Sequence, residues 1–219
     1  DIEFCCSGTV ARWTQEGREV AYCLLTSGEK GLDGPSPVGE KRLVREAEQR
    51  EAARAIGVEE VHFLRFTDGE LVNNRDLRRA IVRILRELRP ELVLAPDPAR
   101  GAFDNFYGCH SDHRAAGEAC FDSLYPAAGN PQYFPELPAE GLLPHRPKEA
   151  YFVIPQSPNV WVDIGETFEL KLRALACHRS QVGEDLDGLA ARMREWAQKV
   201  GEPRGIALAE SFRSLEVPG

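Results

Sequence analysis

Apolar residues recur along this chain in two alternating rhythms. Val20 to Thr26 (VAYCLLT), Val61 to Phe66 and Leu92 to Ala95 are short apolar runs, as expected of strands in a sheet covered on both faces. Between them the apolar positions take helical spacing. Glu40 to Ile56 reads as a helix closed by Gly57. Arg75 to Leu88 carries Leu77, Ile81, Ile84, Leu85 and Leu88 on one face and stops before Pro90. A first helix runs from about Ser7-Gly8-Thr9 through Val10 and Trp13, with Gly17 as its C-terminal cap. Strand and helix alternate in this order, which predicts right-handed crossovers and an α/β fold with a mostly parallel sheet. Ligands of such sheets bind outside the carboxyl ends of the strands, where the loops after Thr26, Phe66 and Ala95 emerge.

The second half is less regular. After Ser111, a good N-cap, Ala115, Ala116, Ala119, Cys120 and Leu124 form one helical stripe that Pro126 ends. Residues 125 to 147 are dense in Pro, Gly and Asn and predict an excursion over the surface. Ser27 to Gly39 is a long loop for the same reason. Glu149 to Ile154 and Val160 to Ile164 read as further strands. Glu166 to His178 and Leu189 to Val200 read as two more helices, a smaller C-terminal β/α extension. An α/β domain rarely opens on a loop before its first helix, so a further strand is expected ahead of Asp1.

Composition narrows the function classes. The 219 residues suffice for one sizeable core, and 42% hydrophobic with 28% charged residues is ordinary for a soluble globular domain. A net charge of -8 without a lysine or arginine run argues against nucleic acid or an anionic membrane as partner. No apolar run approaches the ~20 residues of a membrane span. The six cysteines form no C-x-x-C pair and several lie in apolar stretches, which predicts reduced thiols in a cytoplasmic protein.

The chemistry concentrates in Gly108-Cys109-His110-Ser111-Asp112-His113-Arg114. Two imidazoles three residues apart at a helix entry face one side, with a carboxylate between them. Zinc takes neutral imidazole nitrogen and carboxylate oxygen, and a carboxylate beside a histidine orients it for acid or base work. A metal ligand paired with an acid/base histidine is the sharp reading. Two surface histidines at a helix start are the plain one. A nucleophilic Cys109 is a third reading, disfavoured because neighbouring carboxylates oppose thiolate formation.

Taken together, these stretches resemble the PIG-L/LmbE-like family of zinc-dependent N-deacetylases. The tail of the family's A-H-P-D-D-x-E-F segment is similar to Asp1-Ile2-Glu3-Phe4 followed by Ser7-Gly8-Thr9-Val10-Ala11-Arg12. Its Arg-initiated helix ending in Gly-Val is similar to Arg45 through Val58. Its P-D-G-x-L turn resembles Thr67-Asp68-Gly69-Glu70-Leu71. Its H-P-D-H-x-A resembles His110 to Ala115, with Ser111 for the proline, and its late H-x-S-Q resembles His178-Arg179-Ser180-Gln181. The resemblance implies one LmbE-like deacetylase domain over residues 1–219, Rossmann-like, a three-layer α/β/α arrangement. It implies Asp1 and His113 as metal ligands, and His110 as the acid/base or oxyanion-stabilising catalytic residue held by Asp112. Arg45 and Asp68 are implied as substrate contacts. Tyr107, three residues before His110, stands near the place where some members carry an oxyanion tyrosine. The implied metal is zinc, or ferrous iron in some members. The implied substrate is a small N-acetylated sugar conjugate of the N-acetylglucosamine type, and a homo-oligomer is compatible with it. The family's third ligand, a histidine, and its general base, an aspartate, are expected ahead of Asp1. Two rivals remain: an amidase of a thiol-sugar conjugate in the same family, and a metal-poor sugar-binding pseudoenzyme. For these, Arg45 is a solvated ion pair and Asp68-Gly69 only a turn.

Overall fold

A computed structural model describes residues 1–99 and 109–218. The elements in chain order are α1 (Ile2–Gln15), β1 (Ala21–Thr26), α2 (Val38–Ala55), β2 (Glu60–Phe66), α3 (Arg75–Leu88), β3 (Leu92–Pro96), α4 (Ser111–Asp122), α5 (Glu136–Ala139), β4 (Glu149–Val153), β5 (Val160–Asp163), α6 (Phe168–Ala176), α7 (Arg179–Val182), α8 (Leu186–Gly201) and β6 (Ala209–Glu216). The chain is mixed α/β with a parallel-rich sheet, as the strand–helix alternation predicts. It falls into two compact units, Asp1–Asp68 with Trp161–Ser211, and Gly69–Val160 with Phe212–Gly219.

In the first unit β1 and β2 pair in parallel, Ala21 opposite Glu60 through Leu24 opposite Phe63, with a register shift before Thr26 meets Phe66. Arg65 sits at that shift with φ +58°, a left-handed conformation uncommon for a branched or bulky side chain. Gly57 closes α2 at φ +81°, where glycine carries no Cβ penalty. Helix α1 begins at Ile2, a turn and a half before the predicted start. Its buried side holds Cys6, Val10 and Ala11, and it packs on α6. Gly8 makes that approach: a Cβ there would meet Ile164 at 2.9 Å. Ile164, Phe168, Ala197 and Leu208 form a core cluster, so the elements after Trp161 fold with the N-terminal ones.

In the second unit α3 has its predicted bounds. Asn74 caps it by accepting from Leu77 N–H at 2.9 Å, and Leu77, Ile81, Val82 and Leu85 are buried. β3 pairs in parallel with β4, and β4 pairs antiparallel with β6, Glu149 opposite Glu216 through Val153 opposite Phe212. The predictions missed β6 and α7. The surface excursion expected over 125–147 is exposed at Tyr125, Tyr133 and Leu143 but anchored from within. Ala127, Phe134 and Leu137 pack with Val82 in a buried cluster. The Arg86 guanidinium, 2% exposed, donates to the carbonyls of Ala127, Ala128, Asn130 and Tyr133. One buried cation thus satisfies the backbone acceptors of an irregular loop, which is why the loop need not lie in solvent. Helix α4 lies against β3 so closely that a Cβ on Gly117 would stand 2.7 Å from the Pro96 carbonyl oxygen.

Candidate active site

The head of α4 follows from its capping. Its N-cap is His110, which corrects the expectation of Ser111. His110 holds extended backbone (φ −52°, ψ 141°), and its Nδ1 accepts from the Asp112 main-chain N–H at 3.2 Å. A neutral ring whose Nδ1 accepts carries its proton on Nε2, so the cap assigns the tautomer. The rings of His110 and His113 lie 5.4 Å apart by centroid, tilted by 55°. The spacing of three therefore places both imidazoles side by side, as expected. His110 is exposed and His113 half-buried.

Asp112 is buried, and its carboxylate is committed to the turn that follows β2. Oδ2 accepts from Gly69 N–H at 2.7 Å and Oδ1 from Leu71 N–H at 3.1 Å. Below α4, Asp97 at the end of β3 receives Arg213 through two bonds of 2.9 and 2.6 Å and Ala99 N–H at 2.8 Å. The Asp97 pair holds Arg213 above its ordinary range by direct hydrogen bonding. Tyr107 lies outside the described residues. Cys109 is buried, and its carbonyl accepts from Arg114.

The first unit carries the other predicted residues. Asp1 is the N-cap position of α1. Two residues on, Glu3 is 1% exposed and accepts from Gln49 Nε2 at 2.7 Å, with His178 Nε2 at 3.1 Å on its other oxygen. This anchoring trio was not predicted as a unit. Its signal is an acid inside the first turn of an otherwise apolar helix. Arg45 reaches Glu48 Oε2 at 3.3 Å and Ser180 Oγ at 3.5 Å. A Cβ on Gly28 would come within 3.2 Å of Arg45 Nε. Asp68 accepts from Lys30 N–H at 2.9 Å and Thr26 Oγ1 at 3.4 Å. Arg45 and Asp68, the expected substrate contacts, therefore both border the loop from Ser27 to Gly31. Among the described residues no three His, Cys, Asp or Glu side chains gather as a metal centre. The donor types fit zinc or ferrous iron, since an imidazole at His113 and a carboxylate at Asp1 are ligands both metals accept.

This α/β architecture is that of solved sugar deacetylases. The N,N'-diacetylchitobiose deacetylase of Pyrococcus horikoshii superposes with a TM-score of 0.89 at 31% identity, covering 98% of this chain and 79% of that one. Residues 1–124 match the family described as PIG-L, GlcNAc-PI de-N-acetylase, and the chain belongs to that family. It is 37% identical over 214 residues to the diacetylchitobiose deacetylase of Thermococcus kodakarensis, covering 97% of this chain and 77% of that protein. It is 29% identical to a probable N-acetyl-alpha-D-glucosaminyl L-malate deacetylase 2 of Bacillus anthracis, covering 83% of this chain and 76% of that one. Among the described residues no helix is long and apolar enough to cross a membrane.

Proposed function

We propose that the protein is a metal-dependent hydrolase that removes the acetyl group of an N-acetylglucosamine conjugate, releasing acetate and the free amine. The observation that carries this is the imidazole pair at the head of α4, with His110 fixed as the Nε2–H tautomer by a main-chain bond. The 37% identity to a diacetylchitobiose deacetylase supports the substrate class. By the family pattern Asp1 and His113 help hold zinc or ferrous iron. The metal supplies Lewis acidity toward the hydrolytic water and the amide carbonyl.

His110 supplies what the protein itself must add at the other side of the carbonyl. As water bonds to the carbonyl carbon, negative charge develops on oxygen, and an Nε2–H donor there stabilises it. When the C–N bond breaks, the amine leaves with the proton that the attacking water gave up. The water's own proton goes to a carboxylate base. Arg45 and Asp68, which both border the Ser27–Gly31 loop, are proposed as substrate contacts. The six cysteines are all free thiols, which suits a reducing compartment such as the cytoplasm.

The test is acetate release from N,N'-diacetylchitobiose, GlcNAc-malate and GlcNAc-inositol by the full-length protein, with and without a chelator. Turnover of at least one, lost on chelation and restored by zinc or ferrous iron, supports the reading. Binding of these sugars without acetate release under metal-replete conditions would overturn it.

A further inference from the structure

We infer that Asp112 is a positioning residue whose carboxylate holds the Gly69–Leu71 turn, and with it the adjoining Asp68, in the form that binds substrate. The inference rests on the deacetylase reading for its substrate and on the hydrogen bonds of Asp112 for its mechanism. Both carboxylate oxygens are engaged, one by Gly69 N–H at 2.7 Å and the other by Leu71 N–H at 3.1 Å. Two N–H groups one residue apart converging on a single anion form a nest, and 2.7 Å is in the short range of charge-assisted bonds. Gly69 turns the backbone at φ +75°, which glycine adopts freely, and the two N–H groups of the turn are answered by this carboxylate. Asp112 in turn sits in the first turn of α4, where the helix favours negative charge, and is 7% exposed, where an unpaired carboxylate would be costly.

His110 makes a different demand on Asp112. Its Nδ1 bonds to the main-chain N–H, which any residue but proline would supply at that position. The side chain serves the turn and the backbone serves the histidine. Asparagine separates the two roles. It keeps the main-chain N–H and the shape, but it has one acceptor oxygen and presents an NH2 donor where the other oxygen was. One N–H of the turn then faces a donor and loses its partner.

The experiment has two arms on the full-length protein. Amide hydrogen exchange of the parent should find Gly69 and Leu71 protected, and Asp112→Asn should speed exchange at one or both by about tenfold or more. In steady-state hydrolysis of N,N'-diacetylchitobiose, Asp112→Asn should raise KM by about tenfold or more, with a smaller loss in kcat and an unaltered shape of the kcat–pH profile. Unprotected Gly69 and Leu71 amides in the parent would overturn the proposal. So would a variant that keeps KM while its kcat–pH profile moves, since the carboxylate would then act on His110. If the parent hydrolyses no N-acetylated sugar, the deacetylase reading fails, and the exchange arm alone upholds or overturns the holding of the turn.

Discussion

Removing the Glu210 side chain should cost this protein a large share of its stability. Glu210 is 5% exposed on β6 and accepts three bonds: Lys171 Nζ at 2.6 Å, Gly8 N–H at 3.0 Å and Thr9 N–H at 2.7 Å. Lys171, 2% exposed on α6, also donates to the Phe4 carbonyl at 2.7 Å. The ion pair thus ties α6 and β6 to the main chain of α1. Glu210→Ala strands a buried ammonium, which costs about 3–5 kcal/mol. It also orphans two buried N–H groups at about 1–3 kcal/mol each. These penalties overlap, because water entering the vacated space serves more than one group, so the expected total is about 4–6 kcal/mol. Against a typical total of about 5–15 kcal/mol, that leaves the variant marginal at best. Lys171→Met is milder, at about 2–3 kcal/mol, because Glu210 keeps both of its N–H donors. The double variant Glu210→Ala/Lys171→Met should lose less than the two single losses added, a coupling of about 1.5 kcal/mol or more. Equilibrium urea unfolding followed by far-UV circular dichroism measures each. A Glu210→Ala protein within about 1 kcal/mol of the parent would refute the reasoning, because it would mean the pair is solvated in solution.

Three further outcomes follow from separate features. Gly117→Ala should destabilise by about 1–3 kcal/mol despite alanine's better helix propensity, because its Cβ would press on the Pro96 carbonyl, and a thermal unfolding midpoint at or above the parent's would exclude the tight α4–β3 contact. Glu46 is held below its ordinary value by hydrogen bonding from Arg65, which with Ser27 outweighs the upward push of burial. A depressed carboxyl contributes stability above its unfolded value that disappears as pH falls through its folded one, so acid below about pH 4 should cost the parent more than Glu46→Gln; superimposable stability–pH curves would count against it. Burial pushes the Cys6 thiol well above its ordinary value, and at 4% exposed it should resist a thiol-selective disulfide reagent in the native protein near neutral pH, so rapid labelling of Cys6 would show that its burial is wrong.

What the sequence disclosed and what it hid divide along the range of the interactions. Helix α3 was legible to the residue because everything that defines it is local: an Asn cap, an apolar face of period 3.6 and a following proline. The paired histidines were legible for the same reason, since a spacing of three on a helix is a geometric statement. β6 was not, because Phe212 and Leu215 alternate with charges whose partners are remote, Arg213 with Asp97 and Glu210 with Lys171. The order of residues 125–147 was hidden because Arg86, some forty positions upstream, supplies their hydrogen bonds. Ser111 has the better capping propensity, but His110 takes the cap because Nδ1 can accept from the N–H of residue 112 while the ring stays exposed. Likewise the carboxylate of Asp112 reads as a histidine partner in sequence, whereas in space two backbone donors claim it.

The account turns on a division of labour between two adjacent imidazoles, and one comparison tests it most directly. His110→Ala and His113→Ala are each assayed for acetate release from N,N'-diacetylchitobiose and for bound metal. His110 is proposed to donate a hydrogen bond to the developing oxyanion, so its loss should lower kcat by roughly 10²-fold or more while metal stays bound. His113 is proposed as a ligand, so its loss should strip most of the metal and turnover with it. Metal lost from His110→Ala and retained by His113→Ala would reverse the two roles, and parental turnover in both variants would remove the head of α4 from the chemistry altogether.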